Sequence, residues 1–148
     1  MLWLTQGTAE GDTKLNAFDN ALVAAGIGQF NLVKVTSVAP ELATQSPEPV
    51  VIEAGSVVPA VLSTAQSSQP GEVITASIAI GFGKGSHGMI MEHAGPGHPE
   101  EMEPIVRRMV DESFARRGLT LDRVVVQSST HRVERIGAAV TAVVLWWR

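Results

Sequence analysis

The hydrophobic positions of this 148-residue chain follow two rhythms, one helical and one extended. After Gly11-Asp12-Thr13, where Asp12 or Thr13 can cap, Leu15, Phe18, Leu22 and Ala25 recur at helical spacing until Gly26 and Gly28 end the run. A second helix is predicted by 98-HPEEMEPIVRRMVDESFARRG-118. Pro99 stands at its entrance, Glu100 and Glu101 face the positive end of its dipole, and Arg116, Arg117 and Gly118 close it. Its apolar stripe is Met102, Ile105, Val106, Met109, Val110 and Phe114.

Elsewhere the pattern is extended. Residues 2–8, 30–38, 56–64, 72–81, 87–94, 121–131 and 136–147 have strand composition, and 72-EVITASIAIG-81 alternates so that Ile74, Ala76, Ile78 and Ile80 share one side. Seven strands and two helices predict an α+β sandwich in one domain, with loops at 39–51 and 65–72 and no internal repeat. At this length roughly 70% of the unfolded chain's surface can be buried, so no covalent or metal staple is needed.

Composition narrows the chemistry. The chain has no cysteine, which excludes a disulfide scaffold, a thiolate nucleophile and a cysteine-bound metal, and fits a reducing compartment. Its 11 basic and 15 acidic residues give a net charge of −4, and basic residues cluster no further than the pairs Arg107-Arg108 and Arg116-Arg117. No nucleic-acid partner is expected. The amino terminus lacks the basic region and apolar core of a signal or anchor, and the longest apolar run, 136–147, is too short to cross a bilayer as a helix. The expectation is a cytoplasmic protein without a membrane partner, its last segment a strand covered on both faces.

Two tempting motifs fail. The run 81-GFGKGS-86 lacks the glycine at position 78 that a phosphate-binding loop requires; that position is Ile78. His87, His93 and His98 have no i, i+4 spacing for a helical metal site, and His98 is better placed at the entrance of the second helix. No metal is expected.

Three polar features remain. In 31-NLVKVTSVAP-40 an apolar strand carries Thr36 and Ser37 side by side near its end, which is either tolerated small polarity or reactive chemistry. In 88-GMIMEHA-94 alternation puts Ile90 and Glu92 on one face and Met89, Met91 and His93 on the other. Glu92 is then either an edge charge pointing to water or a desolvated carboxyl with a raised pKa, able to donate a proton. Asp19 borders the apolar stripe of the first helix, with Leu15 at i−4 and Leu22 at i+3. It is either a solvated charge or the receptor of a cation.

The segments 10–40, Gly55 to Pro59, 87-HGMIMEHAG-95 and 118–147 together resemble the pyruvoyl-dependent arginine decarboxylases, in order and over nearly the whole chain. The resemblance implies a four-layer αββα sandwich, two mainly antiparallel sheets flanked by helices, in a protomer that cleaves itself between Thr36 and Ser37. The products are a β chain of 1–36 and an α chain of 37–148. Serine is needed because its Oγ must attack the preceding carbonyl and then leave by β-elimination, converting residue 37 to a pyruvoyl group. That covalent group is the implied cofactor, in place of pyridoxal phosphate.

The resemblance further implies that Glu92 is the general acid, that Asn31 contacts substrate and assists the reactive centre, and that Asp19 receives the guanidinium of arginine. Leu15, Leu22, Gly28 and Phe30 complete the substrate-binding set. Asn31, Val33, Val35 and Ser37 share a strand face by parity, and six residues of straight strand span roughly 20 Å. That separation calls for a neighbouring subunit unless the strand bends sharply, in keeping with the implied trimer of αβ protomers or dimer of trimers. The segment 41–54 is not recognisably shared, which bears on substrate preference and processing rate. The alternatives are a pyruvoyl-dependent decarboxylase for another basic amino acid and an unprocessed homologue serving as a binding or scaffold subunit.

Overall fold

A computed structural model describes residues 1–147. The elements run β1 (Leu2–Glu10), α1 (Lys14–Ala24), β2 (Asn31–Lys34), β3 (Val38–Ala39), β4 (Val57–Ser67), β5 (Val73–Gly83), β6 (Gly88–Pro96), α2 (Pro99–Arg117), β7 (Leu121–Arg132) and β8 (Gly137–Leu145). They form two four-stranded sheets, ordered β1-β8-β4-β2 and β3-β6-β5-β7. Every pairing is antiparallel except β2 with β4.

Side-chain alternation explains the four layers. In β5, Ile74, Ala76, Ile78 and Ile80 all turn into the space between the sheets, where they meet Leu2, Val61, Ile90, Val143 and Leu145 at one end and Ala65, Val133 and Ala139 at the other. The opposite face of that sheet packs Ala79 and Met89 against Val106, Val110 and Phe114 of α2. Burial of each such large side chain is worth roughly 1.5–3 kcal/mol, enough to make α2 integral to the fold. The outer face of the first sheet carries Val58, Ala60, Val140, Ala142 and Val144, and α1 covers it with Ala17, Ala21 and Leu22. Helix, sheet, sheet, helix is the expected αββα order, and β8 is buried along its whole length between β1 and β4.

The helix ends follow their predicted caps. Thr13 Oγ1 accepts from the Asn16 amide at 3.1 Å. At α2, His98 is the N-cap, its amide donating to Glu101 Oε1 at 3.4 Å, and Gly118 closes the helix in the left-handed region at φ 66°. One expectation fails in α1: Leu15 is 74% exposed. Ala17, Ala21 and Leu22 make the buried face instead, with α1 lying so close on β1 at Gly7 that a Cβ there would stand 2.6 Å from the Ala25 amide.

Among the described residues no helix is long and apolar enough to cross a membrane.

Candidate active site

The chain changes sheets between Lys34 and Val38. A single strand over 30–38 is therefore not what forms: β2 belongs to one sheet and β3 to the other, giving eight strands. Leu32 packs towards α1 and Val35 into the core between the sheets, as alternation along one strand requires, and the Val35 amide makes a last bond to Ala60 O at 3.2 Å. Thr36 and Ser37 then leave β4, and Pro40, which has no N–H for a ladder, stops the next strand after two residues. Because β2 ends at Lys34 and the chain crosses to the other sheet, a span computed from one straight strand does not apply between Asn31 and Ser37.

Ser37 is half-buried on the crossover, with Thr36 exposed before it. Two backbone bonds hold the pair. Ile90 donates its N–H to the Ser37 carbonyl at 2.7 Å, and Val38 donates its N–H to the Thr36 carbonyl at 3.0 Å. Since Val38 pairs with Met89 in antiparallel register, Ser37 lies opposite Ile90, and Glu92 is the next residue of β6 on the same face. Diagonal neighbours of this kind are about 7–8 Å apart at their backbones, within reach of a glutamate and a small ligand between them.

The alternation read from the sequence holds in β6. Ile90 is buried between the sheets, whereas Met89 and Met91 pack against α2, so Glu92 also turns to the inter-sheet side. There it lines a cavity of about 290 Å³ with Lys34, Leu62, Ser63, Thr64, His93 and Ala94. The cavity exists because both sheets lose their edge strand here: β2 covers β4 only as far as Ala60, and β3 covers β6 only at Gly88 and Met89. Although the Glu92 side chain keeps an exposed side, desolvation raises its pKa above the ordinary carboxylate value, with the positive charge of Lys34 pulling the other way.

A second cavity of about 370 Å³ adjoins the first, sharing Lys34 and Leu62 with it. Its other walls are Phe18, Leu22, Phe30, Asn31 and Leu32. Gly28 delivers this wall: a Cβ there would stand 2.7 Å from Val23 Cγ2 and 2.9 Å from the Val23 amide, so only glycine lets the chain turn so tightly beneath α1. Asn31 is fixed by its own strand and by the end of the long loop, its amide reaching Ser56 O and its Nδ2 reaching Gly55 O, both at 2.8 Å. Asp19 is exposed on α1, one turn before Leu22 and one turn after Leu15, outside the lining of either cavity.

The structure thus brings Ser37 and Glu92 to one strand pair, and Leu22, Phe30 and Asn31 to an adjoining cavity, while Leu15 and Asp19 face outward. Sequence reasoning missed Lys34, which lines both cavities, and the backbone donors of Val38 and Ile90. A charged residue in an apolar strand three positions from a candidate nucleophile was the available signal for Lys34. Backbone donors leave no trace in residue identity.

A roomier cavity of about 410 Å³ lies elsewhere, lined by Glu10, Gly11, Asp12, Asn16, Asn20, Glu134 and Arg135. Its chemistry is structural. Glu10 receives Nε2 of His131 at 2.6 Å and the amides of Arg135, Ile136 and Glu134 at 2.8, 3.0 and 3.1 Å, knotting the β7–β8 turn to the end of β1. Burial by itself pushes this carboxyl up, but those four donors outweigh it and hold the pKa at about 2, down from 4.5.

The family model described as pyruvoyl-dependent arginine decarboxylase matches residues 1–147. The protein of that name from Methanocaldococcus jannaschii is 40% identical over 147 residues, covering 98% of this chain and 88% of its own. That from Pyrococcus horikoshii is 42% identical over 158 aligned positions, with 99% of each chain covered. A third, from Methanothermobacter thermautotrophicus, is 42% identical over 142 residues, 95% of this chain and 93% of its own. A likeness covering nearly the whole chain leaves one conclusion: the chain belongs to the pyruvoyl-dependent arginine decarboxylase family.

Proposed function

We propose that this protein cleaves itself between Thr36 and Ser37 and then decarboxylates L-arginine to agmatine and carbon dioxide. The observation that carries the reading is the pairing of the crossover with β6, which sets Ser37 opposite Ile90 and one same-face step from Glu92. The relatives' names supply the substrate.

The residues present fit a pyruvoyl group made from Ser37. The position is half-buried, its carbonyl is held by the Ile90 amide, and the next same-face residue of β6 is a carboxyl with a raised pKa that lines a cavity. When formed, the group supplies the electron sink that lets the carboxylate of an attached amino acid leave. Glu92, whose pKa is raised by desolvation, would deliver a proton to the carbon that lost carbon dioxide. Burial raises the Glu92 pKa and the positive charge of Lys34 works against that rise. Leu22, Phe30 and Asn31 would line the path of the substrate's chain, and Asp19 would accept two parallel hydrogen bonds from the guanidinium.

The proposal includes a ring of three copies, singly or paired, with sites shared between neighbours. Its support is the state of this face in one copy. β4 and β6 each run on past their edge partners, and Leu15, Val23, Val33, Val38 and Val57 are exposed apolar residues on the elements around the site. A second chain laid here would cover the open edges and bring Asp19 to a cavity it does not reach in its own chain.

A denaturing gel with mass spectrometry tests cleavage. Two fragments are expected, residues 1–36 and a keto-capped 37–148, against a single intact chain if the reading is wrong. Labelled arginine, ornithine and lysine, assayed by released carbon dioxide, then test the substrate; release from ornithine or lysine in preference to arginine would overturn it.

A further inference from the structure

Thr36, Ser37 and Val38 form a three-residue turn closed by the bond from Val38 N–H to the Thr36 carbonyl at 3.0 Å. No residue other than glycine has positive φ among those described, so the turn is the inverse γ form, with Ser37 at its centre. The acceptor is the carbonyl of the bond proposed to break. The donor is free for this use: the Ile90 bond to Ser37 makes Val38–Met89 the non-hydrogen-bonded pair of the ladder, so the Val38 N–H points away from β6.

We propose that the Val38 amide is an oxyanion donor for self-cleavage, an inference that rests on the cleavage reading above. Ser37 Oγ forms a bond to the Thr36 carbonyl carbon, and the electron pair of the C=O bond moves onto oxygen. That oxygen already faces the Val38 N–H, so the developing charge meets a donor without reorganisation. Collapse re-forms C=O and breaks the bond from the Thr36 carbon to the Ser37 nitrogen. The Oγ proton passes by way of water to that nitrogen, leaving an ester and a free amine. Loss of the Ser37 Cα proton with breakage of Cβ–Oγ releases the Thr36 carboxylate, and water replaces the nitrogen as ammonia to leave the ketone. The donor acts only in the first addition and collapse, where charge sits on the Thr36 oxygen.

The turn also explains how a threonine can precede the serine. Thr36 contributes only its carbonyl to the closed ring, and its side chain stays exposed.

The test follows the rate of fragment appearance after synthesis in a cell-free system, for wild type, Val38→Ala, Val38→Pro and a chain carrying the α-hydroxy acid of valine at position 38. Alanine keeps the N–H and should process at the wild-type rate. Proline and the hydroxy acid lack it. One oxyanion donor in a preorganised site is worth about 10²–10³-fold, and the bent geometry of a γ-turn places the expected slowing nearer 10–100-fold. Because proline also restricts Ser37, the hydroxy acid decides: cleavage at the wild-type rate with that residue overturns the proposal, and slowing by tenfold or more supports it. A wild-type chain that never cleaves would instead overturn the cleavage reading itself.

Discussion

Ile90 gives its backbone N–H to the carbonyl of Ser37 at 2.7 Å, and this bond is the hinge between the position proposed to react and its proposed acid. It ties a residue on an irregular crossover to a strand whose next same-face side chain is Glu92. The crossover alone has too few strand contacts to hold Ser37 in register; the interior of β6, backed by β5 and α2, supplies the rigidity.

Glu92→Gln should separate the two activities. Cleavage between Thr36 and Ser37 should proceed, whereas turnover of arginine should fall about 10²–10⁴-fold with loss of the general acid. Gel and carbon dioxide assays on one preparation check both, and full turnover in the variant would remove Glu92 from its role.

Lys34→Met should move the alkaline limb of the pH–rate profile upwards. Glu92 is active while protonated, so activity falls as pH rises through its pKa. Burial raises that pKa and Lys34 lowers it, so removing the lysine leaves the raising effect unopposed. A profile measured across pH 6–10 that moves down instead contradicts the assigned pairing.

Mixing Glu92→Gln protein with Asp19→Ala protein, after unfolding and joint refolding, should restore part of the activity if neighbouring chains share a site. Each chain then supplies what the other lacks. Activity that stays at the level of the two variants alone would mean every site is built within one chain.

Glu10→Gln should lower Tm at neutral pH by about 5 °C, since a charged acceptor of four hydrogen bonds is lost. It should also flatten the acid dependence of stability. The folded carboxyl titrates at about 2 against an ordinary value of 4.5, so the unfolded chain takes up the proton first. The stabilisation is complete above about pH 4.5 and is lost as pH falls towards 2. Calorimetry at pH 7, 5 and 3 reads both effects; equal acid sensitivity of the two proteins would be the contrary result.

Gly7→Ala should destabilise the fold by about 2–3 kcal/mol, an overpacking effect. A Cβ at position 7 would meet the backbone of α1, with the Ala25 amide 2.6 Å away and the Ala24 carbonyl carbon 2.9 Å away. Denaturant titration measures it, and an unchanged midpoint would show that α1 can shift outward freely.

The periodic elements were legible in the residues because their signals are local. Period-2 alternation in Ile74 to Ile80, the capped stripe of α2 and the apolar run of β8, broken only by Thr141, each express a face that must be buried wherever the partner comes from. The same holds for Ile90 and Glu92 sharing a face, which follows from the pleat alone. Leu15 was misjudged because helical spacing shows that a stripe exists, not which of two adjoining stripes, Leu15 or Ala17 and Ala21, the neighbouring sheet will press upon.

By itself the sequence determined the helices, most strands and the family, and it singled out the pair proposed as reactive, since each is written in short-range pattern or in residue type. The tertiary structure alone decided that the chain changes sheets between Lys34 and Val38, that Lys34 lies between two cavities, and that the Val38 and Ile90 amides point at the carbonyls of Thr36 and Ser37. The reason is that every residue carries the same backbone amide. Where that amide points depends on strand register and on which sheet has an open edge, and both are properties of the assembled fold.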